Sequence, residues 1–194
     1  MNLPVPPPTV VGIDPSLTRT AVATIPADGV VSLRRVTSTG RASATLLERH
    51  ARLARLRDDV LEHVPTGALA IIEQPLMGMA KGAAMTDRSG LWWMLVDGLL
   101  AGGCDVVPVN NVYRAVYALP TKGAKRDKDA VLAAALRRYP LAPIEQNDDA
   151  DATLLAAIGR RLLGLPIEGP EAFTELQQAT IDDMLAKLDW AGRS

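Results

Sequence analysis

Asp14, Glu73, Asp148 and Asp151 are the residues whose types and positions ask for a chemical explanation. Asp14 closes the apolar run TVVGID, and Glu73 closes ALAIIE. An acid directly after an apolar strand points outward at the end of a sheet. Two such strands in one sheet can bring their acids together. The competing explanation for Asp14 is an ordinary turn-opening Asp-Pro. For Glu73, an ionised carboxylate beside an apolar strand is costly unless it is paired or metal-bound. In NDDADATLLAAIG, Asp148 and Asp151 stand three apart, so on a helix they share one face, with side chains about 5–6 Å apart. Capping competes there, because Asn147 is a good N-cap and first-turn acids suit the helix dipole. Three Asp in four positions exceed what a cap needs, and Asp149 points away from the other two.

Four carboxylates, two histidines and one cysteine make a hard oxygen donor set. That set favours Mg²⁺ or Mn²⁺ over Zn²⁺. Two such ions about 3.5–4 Å apart can activate a water and stabilise a leaving oxygen in phosphodiester hydrolysis.

The elements that must position these acids follow from periodicity. TVVGID, TAVATI and VVSLRRV read as three consecutive strands, the last two separated by the turn signal PADG. Helical spacing of Leu46, Leu47, Leu53, Ala54, Val60 and Leu61 predicts a helix within 43–63. ALAIIE reads as a strand buried on both faces. A helix over about 80–101, the strand CDVVPV, and helices over about 127–138 and 148–163 follow. A last amphipathic segment, 171–188, puts Phe173, Leu176, Met184, Leu185 and Leu188 on one stripe. Hairpins first and strand–helix alternation afterwards predict an α/β fold. Its sheet is five-stranded and mixed, three antiparallel strands and then two parallel, with helices on both faces. We expect a proline-rich leader at 1–8, the main domain at 9–164, and a helical extension at 165–194 packed on it.

The chain has 194 residues and 48% apolar content, enough for one compact core. Aromatics are few, so Leu, Val, Ile and Ala must fill the interior. The single Cys104 permits no internal disulfide and suits a reducing cytoplasm. No apolar run approaches the roughly 20 residues that span a bilayer, and the N-terminus lacks signal-peptide features. A soluble, cytoplasmic protein is expected. Net charge is -1, which argues mildly against nucleic-acid binding unless bound metal neutralises clustered acids. Arg49, Arg52, Arg55 and Arg57 form one basic stretch, Lys122, Lys125, Arg126 and Lys128 another, and Arg137 with Arg138 a third. Each fits the solvated face of a helix. The second is the better phosphate candidate, because TKGAK reads as an exposed loop. His50 and His63 read as structural. Of the adjacent Trp92 and Trp93, one can pack inward while the other faces a neighbouring element or a second subunit.

In these segments the chain resembles the RuvC family of Holliday-junction resolvases. The pieces are GIDPSLTRTAVATI, IIEQPLMGMAKGA, PVNNVYRAVYALPTKGAKRDKDAV and NDDADATLLAA, in family order within residues 9–163. The resemblance implies an RNase H-like fold, a homodimer with two active sites, and paired Mg²⁺-dependent nicks in branched DNA. It implies Asp14 as the acid most central to both metals, with Glu73, Asp148 and Asp151 completing the shell. Lys128 falls where the family has a lysine near the scissile phosphate. Arg114 and Lys122 are candidates for backbone contacts, and Lys81 matches a family lysine at the helix after Glu73. Where many members carry an aromatic wedge, this chain has Pro75 and Leu76, so Leu76 or Met77 would have to unstack the bases. The alanine-rich sequence looks like a phage-encoded or similarly diverged relative, which would act in the host cytoplasm.

Two other classes remain open. Actin-like and sugar-kinase ATP-binding proteins also end their first strand in Asp before a small turn. Here Pro15, Ser16 and Leu17 replace the usual glycines, and no second phosphate loop is visible. A non-catalytic DNA-binding dimer of the same fold would be expected to lose acids, and all four are present.

Overall fold

The computed structural model describes residues 7–75, 83–121, 123, 125–169 and 173–187. The strands are β1 (Val10–Asp14), β2 (Arg19–Ile25), β3 (Ser32–Thr37), β4 (Leu69–Glu73) and β5 (Asp105–Val109). The helices are α1 (Leu46–Leu61), α2 (Ala83–Ala101), α3 (Asn111–Ala118), α4 (Lys128–Arg138), α5 (Asn147–Leu162) and α6 (Glu175–Lys187). The sheet order is β3-β2-β1-β4-β5. β1–β2 and β2–β3 pair antiparallel, whereas β1–β4 and β4–β5 pair parallel. This is the expected mixed sheet, and Pro108 sits on the edge strand β5, where a missing N–H is tolerated.

Strand alternation splits the core into two layers. Val10, Leu69 and Ile71 pack with α3–α6, while Val11, Ile13, Ala70 and Ile72 pack with α1 and α2. Carried one step further, the same alternation puts Asp14 and Glu73 on the α5 side of the sheet. α5 lies directly on β1. A Cβ on Gly12 would stand 2.1 Å from the Ala152 carbonyl oxygen and 2.4 Å from the Ala156 nitrogen, so only glycine fits. From that contact Asp14 is two strand residues away, about 6–7 Å. Asp148 is four helical residues away, about 6 Å.

Caps set the helix starts. Thr45 and Glu48 form a reciprocal capping box at α1. The Asp127 carboxylate accepts from the Ala130 N–H at 2.9 Å at α4. At α5 the cap is displaced from its expected place. Gln146 precedes the helix and Asn147 is its first residue. The Asp149 carboxylate reaches back to the N–H groups of Glu145 (3.0 Å) and Gln146 (2.9 Å).

α3 has no counterpart in the periodicity reading. It is short, and its signal is the Asn110 side chain, which accepts from the Tyr113 N–H at 2.9 Å. Leu46 and Leu47 are exposed, so the buried stripe of α1 is Leu53, Leu56 and Val60. On α6 the stripe is turned. Gln177, Ile181 and Met184 are buried, whereas Leu176 and Leu185 are partly exposed. Gln177 is held inside because its amide donates to the Tyr117 carbonyl at 2.6 Å. Leu188 lies outside the described residues. Trp92 packs inward and Trp93 is exposed beside it. Among the described residues, no helix is long and apolar enough to cross a membrane.

Candidate active site

Asp14, Glu73, Asp148 and Asp151 line one cleft of about 370 Å³, with Lys128, Arg114, Arg88 and Asn111 on its walls. Three elements supply the acids: the ends of β1 and β4, and the first turns of α5. The turn after Asp14 is tied by Thr20, which is fully buried. Its hydroxyl accepts from the Ser16 N–H at 3.1 Å and donates to the Ser16 carbonyl at 3.0 Å. Asp149 is excluded from the cleft and serves the fold instead. Arg35 grips it with Nε and Nη2 at 2.7 and 2.8 Å. Burial alone would raise its pKa, but Arg35 and the two backbone donors hold it below the usual range.

Two guanidiniums enter the acid cluster. Arg114 on α3 donates through Nε to Glu73 Oε2 at 2.5 Å and through Nη1 to Asp151. Arg19, the first residue of β2, donates through Nε to Asp148 Oδ2 at 2.7 Å and through Nη1 to Gln146. Asp14 has no hydrogen bond or ion pair among the described residues. Burial, followed by Glu73 and Asp151 beside it, pushes its carboxyl well above the usual range, against the pull of Arg114. Asp151 is raised to about 6, first by burial; Arg114 opposes this and Glu73 adds to it. Burial works against the charge of Arg114, yet Glu73 and Asp151 raise its pKa overall.

Among the described residues, no three acids approach one another closely enough to grip a single ion in this side-chain arrangement. The donor chemistry nonetheless suits a hard cation. Four carboxylates face one space with two counter-ions, Asp14 has none, and the buried Asn111 Oδ1 accepts no hydrogen bond from the described residues. A cation or its water ligands would meet all three needs.

Sequence reasoning singled out Arg114 and Lys128 as DNA contacts. Lys128 lines the cleft, and Arg114 sits among the acids. Leu76, Met77, Lys81 and Lys122 lie outside the described residues. Sequence reasoning missed Arg19, Arg88 and Asn111. No local signal marks them: folding brings Arg88 and Asn111 to the cleft, and the partners of Arg19 lie 127 and 129 residues along the chain. The other basic stretches serve the fold. Arg49 pairs with Asp87 at 2.5 Å, Arg52 donates to Ser38 and the Leu17 carbonyl, and Arg138 donates to the Tyr117 and Ala118 carbonyls at 2.8 and 3.2 Å. A larger cleft of about 710 Å³ lies between the starts of α1 and α2. Its acids, Glu48 and Asp87, are each taken up by an arginine, so we place the chemistry at the smaller cleft. His50 and His63 line neither cleft.

No protein-family model and no curated protein matches the sequence. Solved structures do. RuvC from Thermus thermophilus aligns with a TM-score of 0.56 at 18% identity, over 81% of this chain and 97% of that one. T. thermophilus RuvC in complex with a Holliday junction substrate aligns with a TM-score of 0.58 at 15% identity, over the same shares. Likeness at this identity is one of fold, and the chain has a RuvC-like, RNase H-like fold.

Proposed function

We propose that this chain is a Mg²⁺-dependent endodeoxyribonuclease that cuts Holliday junctions or other branched DNA. One observation carries the reading: acids from β1, β4 and α5 converge in one polar cleft on a RuvC-like fold. Asp14, Glu73, Asp148 and Asp151 would hold two Mg²⁺ ions, with Mn²⁺ able to substitute. When bound, the ions supply an activated water and charge stabilisation for the leaving oxygen. Lys128, at the first turn of α4, is positioned to bind a phosphate oxygen in the cleft. Arg88 on the opposite wall adds a second cation for the DNA backbone. Thr20 keeps Ser16 and Pro15 in the turn that presents Asp14. Leu76, Lys81 and Lys122 complete the proposed DNA contacts.

The RuvC solved with a Holliday junction substrate supports branched DNA as the ligand class. Exposed Trp93 and Leu100 on α2 support a homodimer with two sites. Cytoplasmic action, in a host if the chain is phage-encoded, and a main domain at 9–164 with a packed extension at 165–194 belong to the same proposal. Four-way, three-way and flap DNA should be nicked in Mg²⁺ at neutral pH. Absence of nicking on all three substrates would overturn the reading.

A further inference from the structure

We propose that Arg114 is a displaceable counter-ion, which leaves Glu73 and Asp151 when metal enters and becomes a phosphate ligand. This rests on the nuclease reading and deepens it. The Arg114 side chain is only 12% exposed, and its two donors join acids from different elements, Glu73 on β4 and Asp151 on α5. The oxygens it engages face the same cleft as Asp14. A lone pair given to a guanidinium N–H is not available to an ion. With Arg114 in place, no three acids among the described residues have a coordinating arrangement. Metal and guanidinium therefore compete for the same charge, and the acids cannot serve both at full strength.

Charge bookkeeping gives the exchange its direction. The four acids exceed the two guanidiniums bonded to them, Arg114 and Arg19, by two negative charges, and the cations Lys128 and Arg88 already line the same cleft. Two divalent ions added to that set would make the cluster cationic if both arginines stayed. Expelling Arg114 relieves the repulsion, and the nearest anion to receive it is a phosphate in the cleft. The guanidinium is planar and permanently charged, so it can move from two carboxylates to one phosphate without changing protonation. Metal binding and DNA binding are then coupled, because each removes a competitor of the other.

Calorimetric titration of Mn²⁺ into the full chain tests this. Arg114→Met should bind Mn²⁺ about tenfold more tightly than wild type, since a unit positive charge beside the ligands is gone. Arg114→Lys, which keeps the charge, should stay within about threefold of wild type. Equal or weaker Mn²⁺ binding by Arg114→Met would show a fixed clamp and overturn the proposal. If Arg114→Met fails to fold, the wild-type protein still decides. Its Arg114 Nε–H resonance, assigned through its loss in Arg114→Lys, should shift during Mg²⁺ titration. An unchanged resonance at saturating Mg²⁺ overturns the inference. If wild type still nicks DNA in that case, the nuclease reading stands alone. If no variant binds metal and none nicks, both readings fall.

Discussion

The two ends of α5 handle charge in opposite ways. At the C-terminal end, Glu168 accepts from Tyr117 Oη at 2.6 Å, from Tyr139 Oη, and from Arg161 Nη2 at 3.2 Å. Arg161 also stacks over Phe173 at 3.3 Å from its ring centroid. Burial and the Glu168 charge push both tyrosine hydroxyls upward, so they stay protonated as donors. At the N-terminal end, Asp148 and Asp151 meet two more acids, and Asp14 has no partner among the described residues. The first arrangement closes on itself and anchors chain beyond α5. The second holds unresolved like charge, which is what the proposed cation site calls for. Arg160 qualifies the contrast, because its Nε and Nη1 are buried without partners among the described residues.

The contrast can be broken most sharply at Asp14. Asp14→Asn should lower nicking by at least about 10³-fold, yet raise the metal-free melting temperature by a few degrees, because it removes buried repulsion. A lower melting temperature in EDTA would mean that the acid supports the fold. At the other end, Glu168→Ala should leave two tyrosine hydroxyls without an acceptor and Arg161 without its carboxylate, with only Tyr117 Oη and the Phe173 ring beside it. A loss of about 3–5 kcal/mol in urea unfolding is expected, with little change in nicking per folded molecule. Between the ends, Gly12→Ala forces backbone against backbone and should cost about 3 kcal/mol by the same measurement. The smallest effect is in pH. Asp151 titrates near 6 in the folded chain, above its ordinary value, so the native state binds more protons between about pH 4 and 6. Stability relative to Asp151→Asn should therefore fall as pH rises through that window, by roughly 2–3 kcal/mol at most, and stay flat above it. Saturating Mg²⁺ should flatten the curve, because metal competes with protons for the carboxylates.

Much of the fold was legible because its strands are dense apolar runs with β-branched residues. The placing of Asp14 and Glu73 at the ends of two strands of one sheet is the signal that they can converge. The helical spacing of Asp148 and Asp151 likewise anticipated a shared face. Contacts across long stretches of chain were not legible. Arg114 and Arg19 read locally as ordinary cations, and their partners lie 37 to 129 residues away. Helical direction sets Asp149 apart from Asp148 and Asp151, but its bond to Arg35 depends on β3 lying beside the start of α5. α3 escaped notice because eight residues offer too little periodicity, and the proline in β5 blurs the preceding boundary.

The glycine contact between β1 and α5 also has a mechanical consequence. It spans Ala152 to Ala156, so Asp148 lies about 6 Å beyond one end of it and Arg161 about 7–8 Å beyond the other, and Gly159 seats α5 a second time against Val10 and Ile71. Two seats with no room for a Cβ hold the helix against rocking on the sheet. A displacement of the chain beyond α5 therefore meets the Gly159 seat before it reaches Asp151 and Asp148.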